Sequence, residues 1–210
     1  MKRGLGERLR AAPHDARAWW AEARRNRLFA LGLALSILTV FLDQVSKLAI
    51  LYAVRLPTRH QIDLGPVFDL TYVENRGVSF GLFAGGMTSR IILSVVSVLV
   101  AGYIVRWLGT LRRRVAAIGA GLIVGGAVGN LFDRVAYGHV VDFLDFSGLG
   151  FPFVFNVADA AINVGVACLA YDAFFVVPKL AETSKLTKTE DPPGYRASGA
   201  PGKPTPDETA

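Results

Sequence analysis

Four stretches of this chain are apolar for long enough to cross a bilayer, and polar residues interrupt them only at particular depths. They run from about Leu28 to Ala53, Ile91 to Leu108, Val115 to Val135 and Phe153 to Val177. A spanning helix needs roughly 20 mostly apolar residues, because the hydrocarbon core is about 30 Å thick. The third and fourth stretches are the less uniform pair, carrying Asn130, Asp133, Arg134, Asn156, Asp159 and Asn163. Between the first and second lies VFDLTYV, Val67 to Val73, whose β-branched and aromatic residues predict a short strand. The expected fold is therefore an α-helical membrane protein with four transmembrane helices and a small β-rich outer loop.

Composition agrees. Of the 210 residues, 52% are apolar and 19% charged, and mean hydropathy is +0.38. A single cysteine, Cys168, excludes an internal disulfide framework, and His14, His60 and His139 are too scattered to suggest a metal site. The net charge of +6 has the distribution of a membrane protein rather than of a nucleic-acid binder. Arg8, Arg10, Arg17, Arg24, Arg25 and Arg27 precede the first span; Arg106, Arg112, Arg113 and Arg114 cluster between the second and third; Lys179, Lys185 and Lys188 follow the fourth. The positive-inside rule then makes both termini and that short loop cytoplasmic. Residues 1–27 are expected to form a basic cytoplasmic segment, a surface helix with Trp19 and Trp20 in the lipid interface. Residues 28–178 are the four-span domain, and 179–210 a disordered polar tail. Asp43 and Lys47, and the lack of a small-residue cleavage site, argue against a cleavable leader.

Charges inside spans are costly and tend to mark function. With these orientations Asp43 lies roughly 22 Å along the first helix, Lys47 a turn further, Asp133 and Arg134 at the outer end of the third, and Asp159 within the first turns of the fourth. Together with Asp142 they fall in the outer third of the bilayer, whereas the inner halves of the spans offer nothing comparable apart from Arg106. Asp43 and Lys47 are four residues apart, consistent with a local ion bridge or with direct contact to a substrate. Ala117, Gly121, Gly125 and Gly129 form a small-residue stripe, and Asp133 is its next member, so it should face the bundle. There it could pair with Arg134, hold a loop or take part in chemistry. Asp142 and Asp159 have no basic residue near them in sequence. If they meet, one should hold a proton while the other stays ionised, as in an aspartic protease; the alternative is two unrelated helix-end caps.

These residues resemble a known family. GGAVGNLFDR (Gly125 to Arg134), VVDF (Val140 to Phe143), FNVADAAINVG (Phe155 to Gly165), DQVSK (Asp43 to Lys47) and ENRGVSFGLF (Glu74 to Phe83) are similar to the signature blocks of lipoprotein signal peptidase, or signal peptidase II, in order and spacing. The resemblance implies a four-span bacterial aspartic endopeptidase of the inner membrane. It implies cleavage of prolipoproteins before a diacylglyceryl-modified cysteine, with no cofactor or metal and with a monomer sufficient. It makes Asp142 and Asp159 the catalytic pair, and gives supporting or substrate-binding roles to Asp43, Lys47, Asn75, Gly77, Asn130, Asp133, Arg134, Asn156 and Ala158. It also implies a site facing the extracytoplasmic side, with membrane lipid as the medium from which substrate arrives.

Rival readings exist. GVSFG around Ser79 matches a nucleophile-elbow pattern, but no histidine partner is evident. Ser46 and Lys47 point about 100° apart on a helix, a poor Ser–Lys dyad. Phe80 is a candidate cover for the site. A small proton-coupled transporter would also use intramembrane acids, but these cluster at one depth and no repeated halves are visible. A non-catalytic scaffold would leave Asp142 and Asp159 unexplained.

Overall fold

A computed structural model describes residues 16–77 and 86–179. Ser79 and Phe80 lie outside the described residues, as does the polar tail beyond Lys179. Four helices are long and apolar enough to span a membrane: Arg27–Ala53, Met87–Leu108, Arg114–Ala136 and Val157–Lys179.

In chain order, α1 is Ala16–Ala23 and α2 is Arg27–Leu48, extended by a π-helical turn over Ala49–Ala53. A short α3, Leu56–Arg59, leads into strands β1, Gln61–Asp63, and β2, Asp69–Asn75. The predicted strand is present, shifted two residues towards the C-terminus. Then come α4 (Met87–Leu108), α5 (Arg114–Ala136), β3 (Val140–Asp145), β4 (Val154–Phe155) and α6 (Val157–Tyr171). All described residues to Asp172 belong to one compact unit; a second begins at Ala173, and its described residues are helical.

The centre of the bundle is α5, the most buried of the four spans. Its glycines work on two sides. A Cβ on Gly121 would stand 2.5 Å from the Gly32 carbonyl oxygen, and one on Gly125 2.5 Å from the Thr39 Cβ, so the stripe read in the sequence is where α2 closes on α5. Gly119 and Gly126 do the same for α6, where a Cβ would meet the carbonyls of Gly165 and Ala158 at 2.7 and 2.4 Å. Close backbones let Ser36 Oγ donate across the interface to the Gly121 carbonyl at 2.8 Å. The outer faces of α2, α4 and α6 carry exposed Ile37, Phe41, Leu99 and Val164, as lipid contact requires.

At one end of the bundle the four strands form an antiparallel sheet in the order β1-β2-β3-β4. Val140, Val141 and Phe143 of β3 are buried, Val141 and Phe143 against Ile50 and Leu56. In the register Val73 faces Asp142 and Asn75 faces Val140, with a bulge between Leu70 and Val73. Asn75 therefore lies on the same face as Asp142, one diagonal step away.

Two expectations are corrected. The fourth span begins at Val157 rather than Phe153, because Val154 and Phe155 pair with Asp145 and Leu144 while the Asn156 side chain caps the helix by accepting from the Asp159 amide. Trp19 also packs on protein: its indole donates to the Arg106 carbonyl at 3.2 Å and its ring packs edge-on against Phe29, so α1 docks on the bundle. The span ends remote from the sheet, expected to be the inner ones, are also not free of buried charge, for Arg113 and the buried Asp172 form a bidentate ion pair, Nε to both carboxylate oxygens at 2.9 and 2.8 Å.

Candidate active site

Charged and amide side chains from α2, β2, α5, β3 and α6 converge where the sheet meets the bundle. Asp43, Lys47 and Asp133 are completely or almost completely buried. The Lys47 ammonium lies 2.8 Å from Asp43 and 2.7 Å from Asp133, one cation bridging two acids on different helices. The local Asp43–Lys47 pair expected from spacing is thus present. Asp133 pairs with Lys47 rather than Arg134, because its place on the stripe turns it towards α2. The same oxygen, Oδ2, also accepts the Val141 amide at 3.1 Å, fastening β3 to the end of α5. Asp43 Oδ1 accepts the Ala158 amide at 2.9 Å and so fixes the start of α6. Burying ions is tolerable only when pairing and hydrogen bonds satisfy them, as they do here.

Gln44 was not singled out in the sequence. Its side-chain amide donates to Asp43, to Asp133 and to the Gly129 carbonyl at 3.1, 3.0 and 3.3 Å. The only sequence signal is its position beside Asp43.

On this base stand three asparagines that hold Asp142 and Asp159. Asn130 donates to Asp159 Oδ1 at 2.8 Å, while its own oxygen accepts from Lys47 at 3.3 Å and from Asn156 at 3.1 Å. Asn156 also lies 2.6 Å from Asp142 Oδ1, its amide donating. Asn75 donates to Asp142 Oδ2 at 3.0 Å and accepts the Gly77 amide at 3.2 Å, shaping the turn after β2. Asp142 and Asp159 are therefore joined through Asn156 and Asn130, and among the described residues no cation is paired directly with either. Burial, reinforced by the charge of Asp159, pushes the Asp142 carboxyl up to about 7, against the opposing pull of Asn75, Asn156 and Lys47.

Beside the pair is an open cleft of about 610 Å³. Asp159, Arg134, Asn75 and Gly77 supply its polar side, and Phe151, Phe153, Phe155 and Ile162 its apolar side. Arg134 donates to the Asn130 backbone carbonyl one turn earlier at 3.3 Å, and feels the charges of Asp159 and Asp142. The structure thus brings together all eleven residues singled out for the site. Among the described residues, no three His, Cys, Asp or Glu side chains are grouped to hold a metal.

The comparisons agree on what this chain resembles. The family model described as signal peptidase (SPase) II matches residues 35–175. The lipoprotein signal peptidase of Caulobacter vibrioides is 46% identical over 159 residues, covering 75% of this chain and 91% of that protein. That of Rhodopseudomonas palustris is 40% identical over 154 residues, covering 70% and 94%. Two solved structures of bacterial membrane enzymes, both 23% identical, share the fold with TM-scores of 0.59 and 0.60. The first covers 74% of this chain and 91% of its own, the second 70% and 94%. Nothing in these matches supports a transporter. The match over most of the four-span region, with relatives covered almost end to end, means that the chain belongs to the signal peptidase II family of membrane proteases.

Proposed function

We propose that this protein removes signal peptides from prolipoproteins by aspartic chemistry, with Asp142 and Asp159 as the catalytic pair. The observation that carries this reading is the treatment of the acids. Lys47 is the shared ion-pair partner of Asp43 and Asp133 in the base of the site, whereas Asp142 and Asp159 receive neutral amide donors and Asp159 opens onto the cleft. Two carboxylates held close without a counter-ion share one proton between them.

The ionised member takes a proton from water as the water oxygen attacks the scissile carbonyl carbon. The protonated member gives its proton to the carbonyl oxygen. When the resulting diol collapses, the C–N bond breaks, the leaving nitrogen takes up a proton and the pair returns to its single-proton state. Asn130, Asn156 and Asn75 hold the two carboxylates in register. Arg134 and Asn75, on the cleft wall, are placed to bind substrate carbonyls. Asp43, Lys47, Asp133, Gly77 and Ala158 position the elements that carry them.

The substrate in this reading is a prolipoprotein whose cysteine already carries diacylglycerol, cut just before that cysteine, with its acyl chains remaining in membrane lipid. The distribution of arginine and lysine supports an inner-membrane topology with both termini cytoplasmic and the sheet outside. We read residues 28–178 as the protease domain, 1–27 as its basic cytoplasmic segment and 179–210 as a cytoplasmic tail, working as a monomer without cofactor. The test is cleavage of a diacylglyceryl-modified prolipoprotein by the purified protein, compared with the unmodified precursor. Cleavage of the modified form alone is expected. Cleavage of neither by a folded protein would overturn the reading.

A further inference from the structure

A second cavity, of about 210 Å³, lies at the sheet end of the bundle between the start of α4 and the end of α5. Arg76, Arg90, His139, Tyr137, Gly138 and Met87 line it. We propose that it binds the phosphate of a phospholipid headgroup.

Depth is the first argument. Met87 is the first residue of one span, and Tyr137 and Gly138 directly follow the last residue of another, so the cavity sits where apolar chain gives way to polar. Exposed Met87 and Ile91 flank it on the lipid side, and Tyr137 stands at the level where aromatic side chains meet headgroups. A ligand here has its charged group in the cavity and its tails beside α4.

Charge is the second. Two guanidiniums and an imidazole face one carboxylate, Glu74, which binds Arg76 at 2.7 Å and lies 3.9 Å from His139. Arg90 donates to the Val135 carbonyl at 2.7 Å, which holds its guanidinium in place at the end of α5. Each guanidinium has more N–H donors than Glu74 and Val135 take, in the planar fork that matches phosphate oxygens. Gly138, whose φ of +84° suits glycine, brings the backbone beside Arg90: a Cβ there would stand 3.4 Å from Arg90 Nη1.

The test uses the full chain in detergent, with phosphatidylglycerol, a diacylglycerol of the same acyl chains, and inorganic phosphate as probes, read by native mass spectrometry. Phosphatidylglycerol should be retained and diacylglycerol not. Arg76→Gln and Arg90→Gln should each reduce retention about tenfold, the worth of one charge-assisted hydrogen bond. Arg90 also caps α5, so if its variant fails to fold, Arg76→Gln alone decides. Equal retention of diacylglycerol, or unchanged retention in the folded variants, would refute the site. Displacement of the lipid by an equal concentration of inorganic phosphate would make it a free-anion site and refute the lipid.

Discussion

Buried charge occurs at both ends of this bundle, and the two ends use it differently. At the end remote from the sheet, expected to be the inner one, Asp172 meets Arg113, carboxylate to guanidinium, with the arginine side chain 38% exposed and the aspartate 4%. The pair is closed: each charge has its opposite, and it does no more than join the start of α5 to the end of α6. At the sheet end, one lysine faces four aspartates, either directly or through Asn130 and Asn156. Two of the acids pair with that lysine directly and two do not. A fold that needed only fastening would repeat the inner arrangement. The surplus of carboxylate at the other end, beside a cleft, is what a proton-sharing reaction needs and what stability alone does not explain.

The comparison can be broken in graded steps. Lys47→Met should have the largest effect on stability, because it strands two fully buried carboxylates; thermal unfolding in detergent should show a loss of about 3–5 kcal/mol, with activity abolished. Gly121→Ala comes next. Its methyl would meet the Gly32 backbone oxygen, which cannot swing away, so α2 must shift with its Asp43 and Lys47. About 1–3 kcal/mol of stability should be lost, together with cleavage rate. Asp172→Asn should cost less, about 1 kcal/mol, since Arg113 can turn to water. It should leave cleavage nearly unchanged, and a large loss of rate in a stably folded variant would show that the two ends are not distinct.

The pH profile sharpens the same contrast. Asp142 is held up to about 7, so the fold favours its neutral form. The stability it contributes is full below the carboxyl's ordinary range and is lost as pH rises through about 7. Cleavage measured as kcat/KM should fall over the same window as the pair gives up its shared proton. A rate unchanged from pH 6 to 9 would separate Asp142 from the chemistry.

Much of this was legible in the sequence because apolar length and helical periodicity carry it. The spans follow from the length of the apolar stretches, and the Asp43–Lys47 pair and the inward turn of Asp133 from residues four apart on one face. The partner of Asp133 did not follow, since choosing Lys47 over Arg134 depends on how closely the glycines of α5 let α2 approach. The start of the fourth span was misplaced because Val154 and Phe155 suit either a strand or a buried helix; only their pairing with β3 decides. Asp172 passed unnoticed because its arginine lies 59 residues away in sequence. The role of Gln44 rests on Gly129 and Asp133, 85 and 89 residues away, which nothing local in the sequence indicates.

The central claim is that Asp142 and Asp159 act as one unit. Its most direct test is cleavage of the lipid-modified precursor by Asp142→Asn, Asp159→Asn and the double variant, each checked for an unchanged melting temperature. The account predicts a loss of about 10³-fold or more for either single change, with the double no worse than the singles, because removing one member already disables the pair. Wild-type cleavage by either single variant, or losses that multiply in the double, would contradict it.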